Sequence, residues 1–318
     1  MQVSKVALLP GFLLALISCF LLSCHMVEGR FASAQWTAAV DAAMTELAQD
    51  AAFQKEVTSI GVPFVVPLCK QTATYPSKNP IPSNITSLII CHEPQPITNL
   101  WRSVYHVVGK GLLANLNKHY GLSLGVDYVM VNTSAGYFNS LRDGVDSGLC
   151  DMVVSDTALS PLRSSQVTFA TCPYGVTYYA YLRTDLDNTT ITGINSLDQL
   201  NRADVKVSWW KGTLFDKVMN DSLPLVKNYP AATMEDLFLN AQNKLVHAIL
   251  FDAVDLYSWM NDHTAYCASC YVRVFGEPPS VQIFTKKFAA ISAAPGMQDG
   301  SLTYLLIMAF LIIYSLFV

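Results

Sequence analysis

The sequence predicts an α/β fold built as two lobes. Three observations predict it. Apolar runs of strand length alternate with segments of helical spacing through the middle of the chain. That alternation comes in two sets, joined by short extended crossings. And residues 151–174, DMVVSDTALSPLRSSQVTFATCPY, read as a buried strand, a small polar turn and an Arg at a helix start. In open α/β sheets a ligand sits outside such strand ends.

The elements follow in order. Residues 1–24 carry Lys5 and an apolar run, a pattern of secretory signals, with small-residue cleavage candidates up to Ala34. The expected signal is 1–34; a retained signal anchor is the other reading. Residues 36–57 place Val40, Met44 and Leu47 on one helical face, so 35–61 is expected to be helical and 62–87 a connector. A strand at 88–90 leads into the breaker-rich loop His92-Glu93-Pro94-Gln95-Pro96. A helix over 101–120 ends before Gly121. A strand at 128–131, a helix at 137–145 and a strand from Met152 complete a β-α-β-α-β order, which implies a parallel sheet. This first lobe spans 88–183, with 178–182 as the strand crossing out of it.

The second lobe, 184–277, has a short helix at 196–200 and a strand at 205–209. The turn Lys211-Gly212-Thr213 opens a helix over 214–219, and a helix over 234–242 follows. A strand at 247–251 ends on Asp252 ahead of a helix through Trp259, and 271–275 is a further strand. After Pro278-Pro279, residues 278–291 return to the first lobe.

Charged residues make up only 14 % of the chain and the net charge is −4 without a basic run, so nucleic acid is not an expected partner. At the far end, small residues near Ser292 precede a polar spacer and an uncharged apolar tail. That layout over 292–318 fits a glycolipid (GPI) attachment signal with Ser292 as attachment site; an ordinary tail anchor is the alternative. Beyond the signal, Cys69, Cys91, Cys150, Cys172, Cys267 and Cys270 form an even set that favours disulfides, and six allow fifteen pairings. Cys267-Ala-Ser-Cys270 reads as a local disulfide rather than a redox or metal motif. Sequons at Asn84, Asn132, Asn188 and Asn220 fit a glycosylated protein on the outer face of the plasma membrane of a eukaryote.

The 151–174 segment resembles the core signature of the family 3 extracellular solute-binding proteins, the amino-acid-binding Venus flytraps. Asp151, Ser160, Arg163, Phe169, Pro173 and Tyr174 all stand in its register. The resemblance implies the two-lobe, type II periplasmic-binding-protein-like fold. Family members end on helices packed against the first lobe. Here 36–57 is similar to those helices, with Asp50-Ala51 at the family's Asp-Gly break, which implies a circular permutation; an unrelated stalk helix is the alternative.

The resemblance also implies a ligand site. Arg163 would hold an α-carboxylate, as a planar fork suits it. Asp252 would take the ammonium. Gly212, Thr213 and Leu214 resemble the family's Gly-Thr loop, whose backbone N–H groups meet the carboxylate. Two positions depart from the pattern: Ala158 stands where a hydroxyl is usual, and Asp156 where Gly or Ser is usual. With Glu93 loosely aligned to a ligand-contacting loop, the surplus of acids favours a cationic ligand. Trp210 and Tyr174 are candidate apolar walls. The plainer readings are a local pairing of Arg163 with Asp156, an N-cap role for Asp252 and core packing for Trp209 and Trp210. No catalytic order, phosphate loop or metal spacing is present, so no catalytic residue, metal or cofactor is expected. The expected function is capture of an amino acid or amine, anchored to the membrane by lipid, for a transporter or co-receptor. The alternatives are a lyase or dehydratase-like enzyme on the same fold and a ligand-free scaffold for protein contacts.

Overall fold

The computed structural model describes residues 30–31, 33–60, 65–94 and 100–288. Residues 1–29, 95–99 and 289–318 lie outside the described residues, and with them most of the segment expected as a signal and the expected lipid-attachment site Ser292.

Helix α1 (Ala34–Gln49) begins at Ser33, whose Oγ accepts from the Trp36 N–H at 3.3 Å. Asp50 ends it and starts α2 (Ala51–Ser59), because its Oδ1 accepts from the Ala52 N–H at 2.7 Å. The helical segment over 36–57 is thus two helices, and the break falls at Asp50, where the resemblance places the family's Asp-Gly break. The first lobe then runs β1 (Ser87–His92), α3 (Leu100–Tyr120), β2 (Gly125–Met130), α4 (Tyr137–Asp146) and β3 (Met152–Val153). A short α5 (Pro161–Ser164), β4 (Val167–Phe169) and β5 (Gly175–Val176) follow.

The second lobe holds β6 (Tyr179–Arg183), a 3-10 turn (Asp198–Leu200), β7 (Lys206–Trp210), α6 (Phe215–Ser222) and β8 (Lys227–Ala231). It continues through α7 (Met234–Gln242), β9 (Ala248–Asp252), α8 (Ala253–Asp262) and β10 (Tyr271–Phe275). The chain then returns through β11 (Ser280–Val281) to β12 (Phe284–Lys286).

Two five-stranded sheets result, ordered β2-β1-β3-β12-β4 and β10-β6-β9-β7-β8. In each, a parallel set receives an antiparallel strand from beyond a crossing: β12 beside β3, and β6 beside β9. The segment expected to cross, 178–182, is instead a strand of the second sheet. The crossing is made by β5 and β11, which pair antiparallel as a two-stranded link. Two α/β lobes joined by two crossings are the architecture that the flytrap resemblance implies.

One apolar core fills the first lobe. Trp36, Met44 and Leu47 of α1 pack there with Trp101, Val108 and Leu112 of α3. The Trp36 indole N–H also donates to Asp151 O at 3.1 Å, and the Thr37 and Thr285 hydroxyls meet at 3.0 Å beside β12. The N-terminal helices are thus part of the first lobe. A second cluster joins α4 to the second lobe through Tyr137, Trp210 and Phe251. Disulfides link Cys69 to Cys172, Cys91 to Cys150 and Cys267 to Cys270. Among the described residues, no helix is long and apolar enough to cross a membrane.

Candidate functional site

The turn after β3 is pinned before it reaches any ligand. Ser155 Oγ and Thr157 Oγ1 lie 2.6 Å apart, both buried, and the Gln282 N–H donates to Thr157 O at 3.1 Å. Ser160 Oγ accepts from the Arg163 N–H at 3.2 Å with Pro161 at the first helical position, so Arg163 is fixed in the opening turn of α5. On the facing lobe, β9 carries Asp252 to its C-terminal end, and α8 then places Asp255 in its first turn.

These elements line a narrow cleft, part-open to solvent, with a cavity volume of about 30 Å³. Asp156, Ala158, Arg163, Trp210, Thr213, Leu214 and Asp252 line it. Glu93, Gly212 and Tyr174 do not. Glu93 is buried behind the wall and accepts from the Tyr105 hydroxyl at 2.6 Å; that hydroxyl in turn accepts from the Asp156 N–H at 3.0 Å. Tyr174 belongs to the first-lobe core, its hydroxyl donating to Ser155 O. The 211–213 turn is closed on itself: the Gly212 N–H donates to Asp216 Oδ2 at 2.9 Å and the Thr213 hydroxyl to Trp210 O at 2.6 Å. The expected use of the Gly212 N–H toward a ligand is therefore not the arrangement seen. Trp210 faces the cleft while Trp209 donates its indole N–H to Asp216 at 2.6 Å, as strand alternation requires.

Arg163 is 5 % exposed, and its guanidinium donates to Ala158 O at 3.0 Å. It lies 5.0 Å from the Phe138 ring centroid. Among the described residues it has no carboxylate within ion-pair distance, so the local pairing with Asp156 is not formed. Burial lowers its pKa, opposed by nearby Tyr137, Tyr179 and Asp156.

The opposite pole is acidic. Asp156, Asp252 and Asp255 each bring a carboxylate oxygen within 4.8 Å of the other two. Burial raises the Asp156 pKa, and the Asp252 carboxyl stands within hydrogen-bonding reach of it. Burial raises Asp252 well above the ordinary value, helped by the charges of Asp156 and Asp255. Asp255 is raised by burial and by Asp156; its Oδ2 accepts from the Trp101 indole of the first lobe at 3.0 Å. Asp252 begins α8, yet its side chain makes no capping bond.

Three contributors escaped the sequence reading. Tyr137 opens α4, donates to Asp156 Oδ1 and meets Trp210 edge-on at 4.9 Å across the lobes. Nothing in the sequence separates it from a core aromatic. Asp255 lies one helical turn beyond Asp252, and that spacing was readable. Thr177 lines the cleft, is 1 % exposed, and its hydroxyl has no partner among the described residues. The four sequon asparagines are all exposed.

No protein-family profile matches the chain, and no curated protein does. Solved structures do. An arginine-bound amino-acid transporter substrate-binding protein of Streptococcus pneumoniae is 15 % identical, over 64 % of this chain and 83 % of that one, with a TM-score of 0.49. A lysine-complexed candidate transporter binding component of Wolinella succinogenes is also 15 % identical, over 72 % and 91 %, at 0.49. An ancestral amino-acid-binding protein, described as a precursor of cyclohexadienyl dehydratase, is 19 % identical over 64 % and 82 %, at 0.45. The two-lobe fold itself stands on the strand orders and crossings of this chain.

Proposed function

We propose that this chain is a solute-binding protein that captures a free amino acid or a related small amine between its lobes. The observation that carries this reading is Arg163: a permanently charged group, buried in the cleft, with no carboxylate within ion-pair distance among the described residues. A ligand carboxylate supplies the missing partner. Asp252, on the facing lobe and lining the same cleft, suits the ammonium of the same molecule. A zwitterion would thereby hold the lobes together. The buried Thr177 hydroxyl offers the hydrogen bond that Ala158 cannot. Capture of this kind serves a transporter or a co-receptor.

The same reading makes α1 and α2 the counterparts of the terminal helices that close the first lobe in flytrap proteins, carried here at the other end of the chain. Their packing against α3 and beside β12 supports the permutation.

Thermal-shift screening against amino acids and amines, followed by calorimetry, tests the proposal. Arg163→Ala should cost on the order of 2–5 kcal/mol of zwitterion binding, because the ligand carboxylate is left unpaired. If the variant binds every ligand as well as the parent does, the carboxylate role is wrong.

A further inference from the structure

Three carboxylates within 4.8 Å of one another leave a well-defined position between them. Since no two of these oxygens are more than 4.8 Å apart, a point between them lies within about 2.8 Å of all three, within reach of charge-assisted N–H···O bonds. A primary ammonium carries three donors and no acceptor, so one nitrogen there satisfies all three acids. A guanidinium spreads its five donors over three nitrogens in a plane, so it cannot place a single nitrogen with three N–H bonds at that point. A second observation points the same way. Asp255 is 1 % exposed and its Oδ1 has no hydrogen-bond partner among the described residues, although Trp101 holds its Oδ2.

We propose that Asp156, Asp252 and Asp255 form a seat for a primary ammonium group, which competes with protons for these close, buried carboxyls. Capture therefore releases a proton and weakens in acid. The inference rests on the proposed amine or amino-acid binding role and assigns its cationic end. It also makes Asp255, on a different element from the other two, a binding residue.

The titratable groups facing the pair come from both lobes. Glu93 follows β1, Tyr105 lies on α3, Tyr137 on α4 and Arg163 on α5. Tyr174 stands before β5, and Tyr179 of β6 and Asp255 of α8 complete the set. Burial holds all four tyrosines above their ordinary value, so they keep their protons through neutral pH. The exchange falls to the carboxyls. A calcium ion is the competing occupant, but it takes six to eight oxygens, and Tyr137 and Trp101 already occupy two of those in the cluster.

The test is calorimetry of the whole protein with L-lysine and 1,5-diaminopentane from pH 5.5 to 8.5, in buffers of differing ionisation enthalpy. About one proton should be released per ligand, and Kd should tighten up to about tenfold per pH unit until the pair ionises unaided. The N-trimethyl analogue of the diamine keeps its charge but offers no N–H at that end, and should bind at least tenfold more weakly there. Asp255→Asn should weaken L-lysine by about tenfold; if that variant does not fold, the proton count on the parent still decides. Amine binding with a flat pH profile and no proton release overturns the exchange while leaving the binding role intact. Calcium chloride displacing the amine and releasing the proton itself overturns the ammonium seat. No binding by any amine or amino acid at any pH overturns the binding role, and this inference with it.

Discussion

The two poles of the cleft meet the same problem, charge taken out of water, in different ways. Arg163 has one hydrogen bond to Ala158 O and aromatic neighbours, but no carboxylate within ion-pair distance among the described residues. A guanidinium does not shed its proton under ordinary conditions, so the burial cost stays until an anion arrives. The acidic pole has three carboxyls, and burial raises the pKa of each, so the neutral form is favoured there. One pole is fixed and the other adjustable. A ligand anion answers a standing demand at Arg163, whereas a ligand cation must compete with a proton at Asp252.

The effect expected from Arg163→Ala is the largest, since nothing else in the cleft carries that charge. The adjustable pole can be broken next. Asp255→Asn removes a buried acid while retaining an oxygen for the Trp101 indole. Asp252 and Asp255 titrate above the ordinary carboxylate value of 3.8 in the folded protein. Their contribution to stability is therefore full below that value and fades as pH rises through the raised values. The ligand-free variant should gain on the order of 1–4 kcal/mol over the parent at pH 8 and little at pH 4. Each 1 kcal/mol should appear as roughly 2–4 °C in Tm. Asp151, buried beneath β1 and raised to about 6, titrates as the same background in both proteins. A gain that is equal at both pH values would show that Asp255 does not share the charge of the acidic pole.

The poles can act on one ligand only if the lobes stay closed, and Gly212 tests that. Its φ is +83°, and a Cβ there would lie 3.0 Å from Tyr137 N and 3.1 Å from Gly136 Cα of the other lobe. Both are backbone atoms, which cannot swing aside. Gly212→Ala should cost about 1–2 kcal/mol from the left-handed backbone alone. The interlobe contact should add a loss in affinity for zwitterions, read by calorimetry, together with a larger radius of gyration in solution scattering. Unchanged affinity would mean that the lobes need not approach this closely to bind.

Much of this frame was legible in the sequence, for identifiable reasons. Helix α7 was plain because Met234, Leu237, Phe238 and Ala241 share one face behind a Thr233–Asp236 capping box. Arg163 was plain because Ser160-Pro161 dictates a helix start there. Strand β8 was not: it is an edge strand, mostly exposed, and tolerates Pro230 because of its edge position. Strand β4 was missed for its three-residue length. In the cleft, residue type indicated charge but not direction. Glu93 has the right type and points behind the wall, onto Tyr105. The Gly212 N–H was misassigned because Asp216, four residues on, captures it. Which acid reaches the cleft depends on long-range packing of α3 against β1 and of α8 against β9, and no local pattern encodes that.

Tyr137 offers the finest test of the contrast, because it touches both poles. Its ring lies 5.8 Å from the Arg163 guanidinium, and its hydroxyl donates to Asp156. Tyr137→Phe keeps the ring, the contact with Trp210 and the approach to Arg163, and removes the hydroxyl that donates to Asp156 and meets Thr157 Oγ1 at 3.0 Å. That donor favours ionised Asp156, so its loss should push the Asp156 pKa further up. Anion binding at Arg163 should not change. Ammonium binding should weaken by about 1 kcal/mol near neutral pH and recover as pH rises, since the missing bond matters only while a proton competes. Calorimetry with a diamine and with a simple carboxylate, each at pH 6.5 and 8.5, separates the two. If the carboxylate weakens as much as the diamine, the poles are not independent, and Tyr137 orders the whole cleft rather than the acidic end.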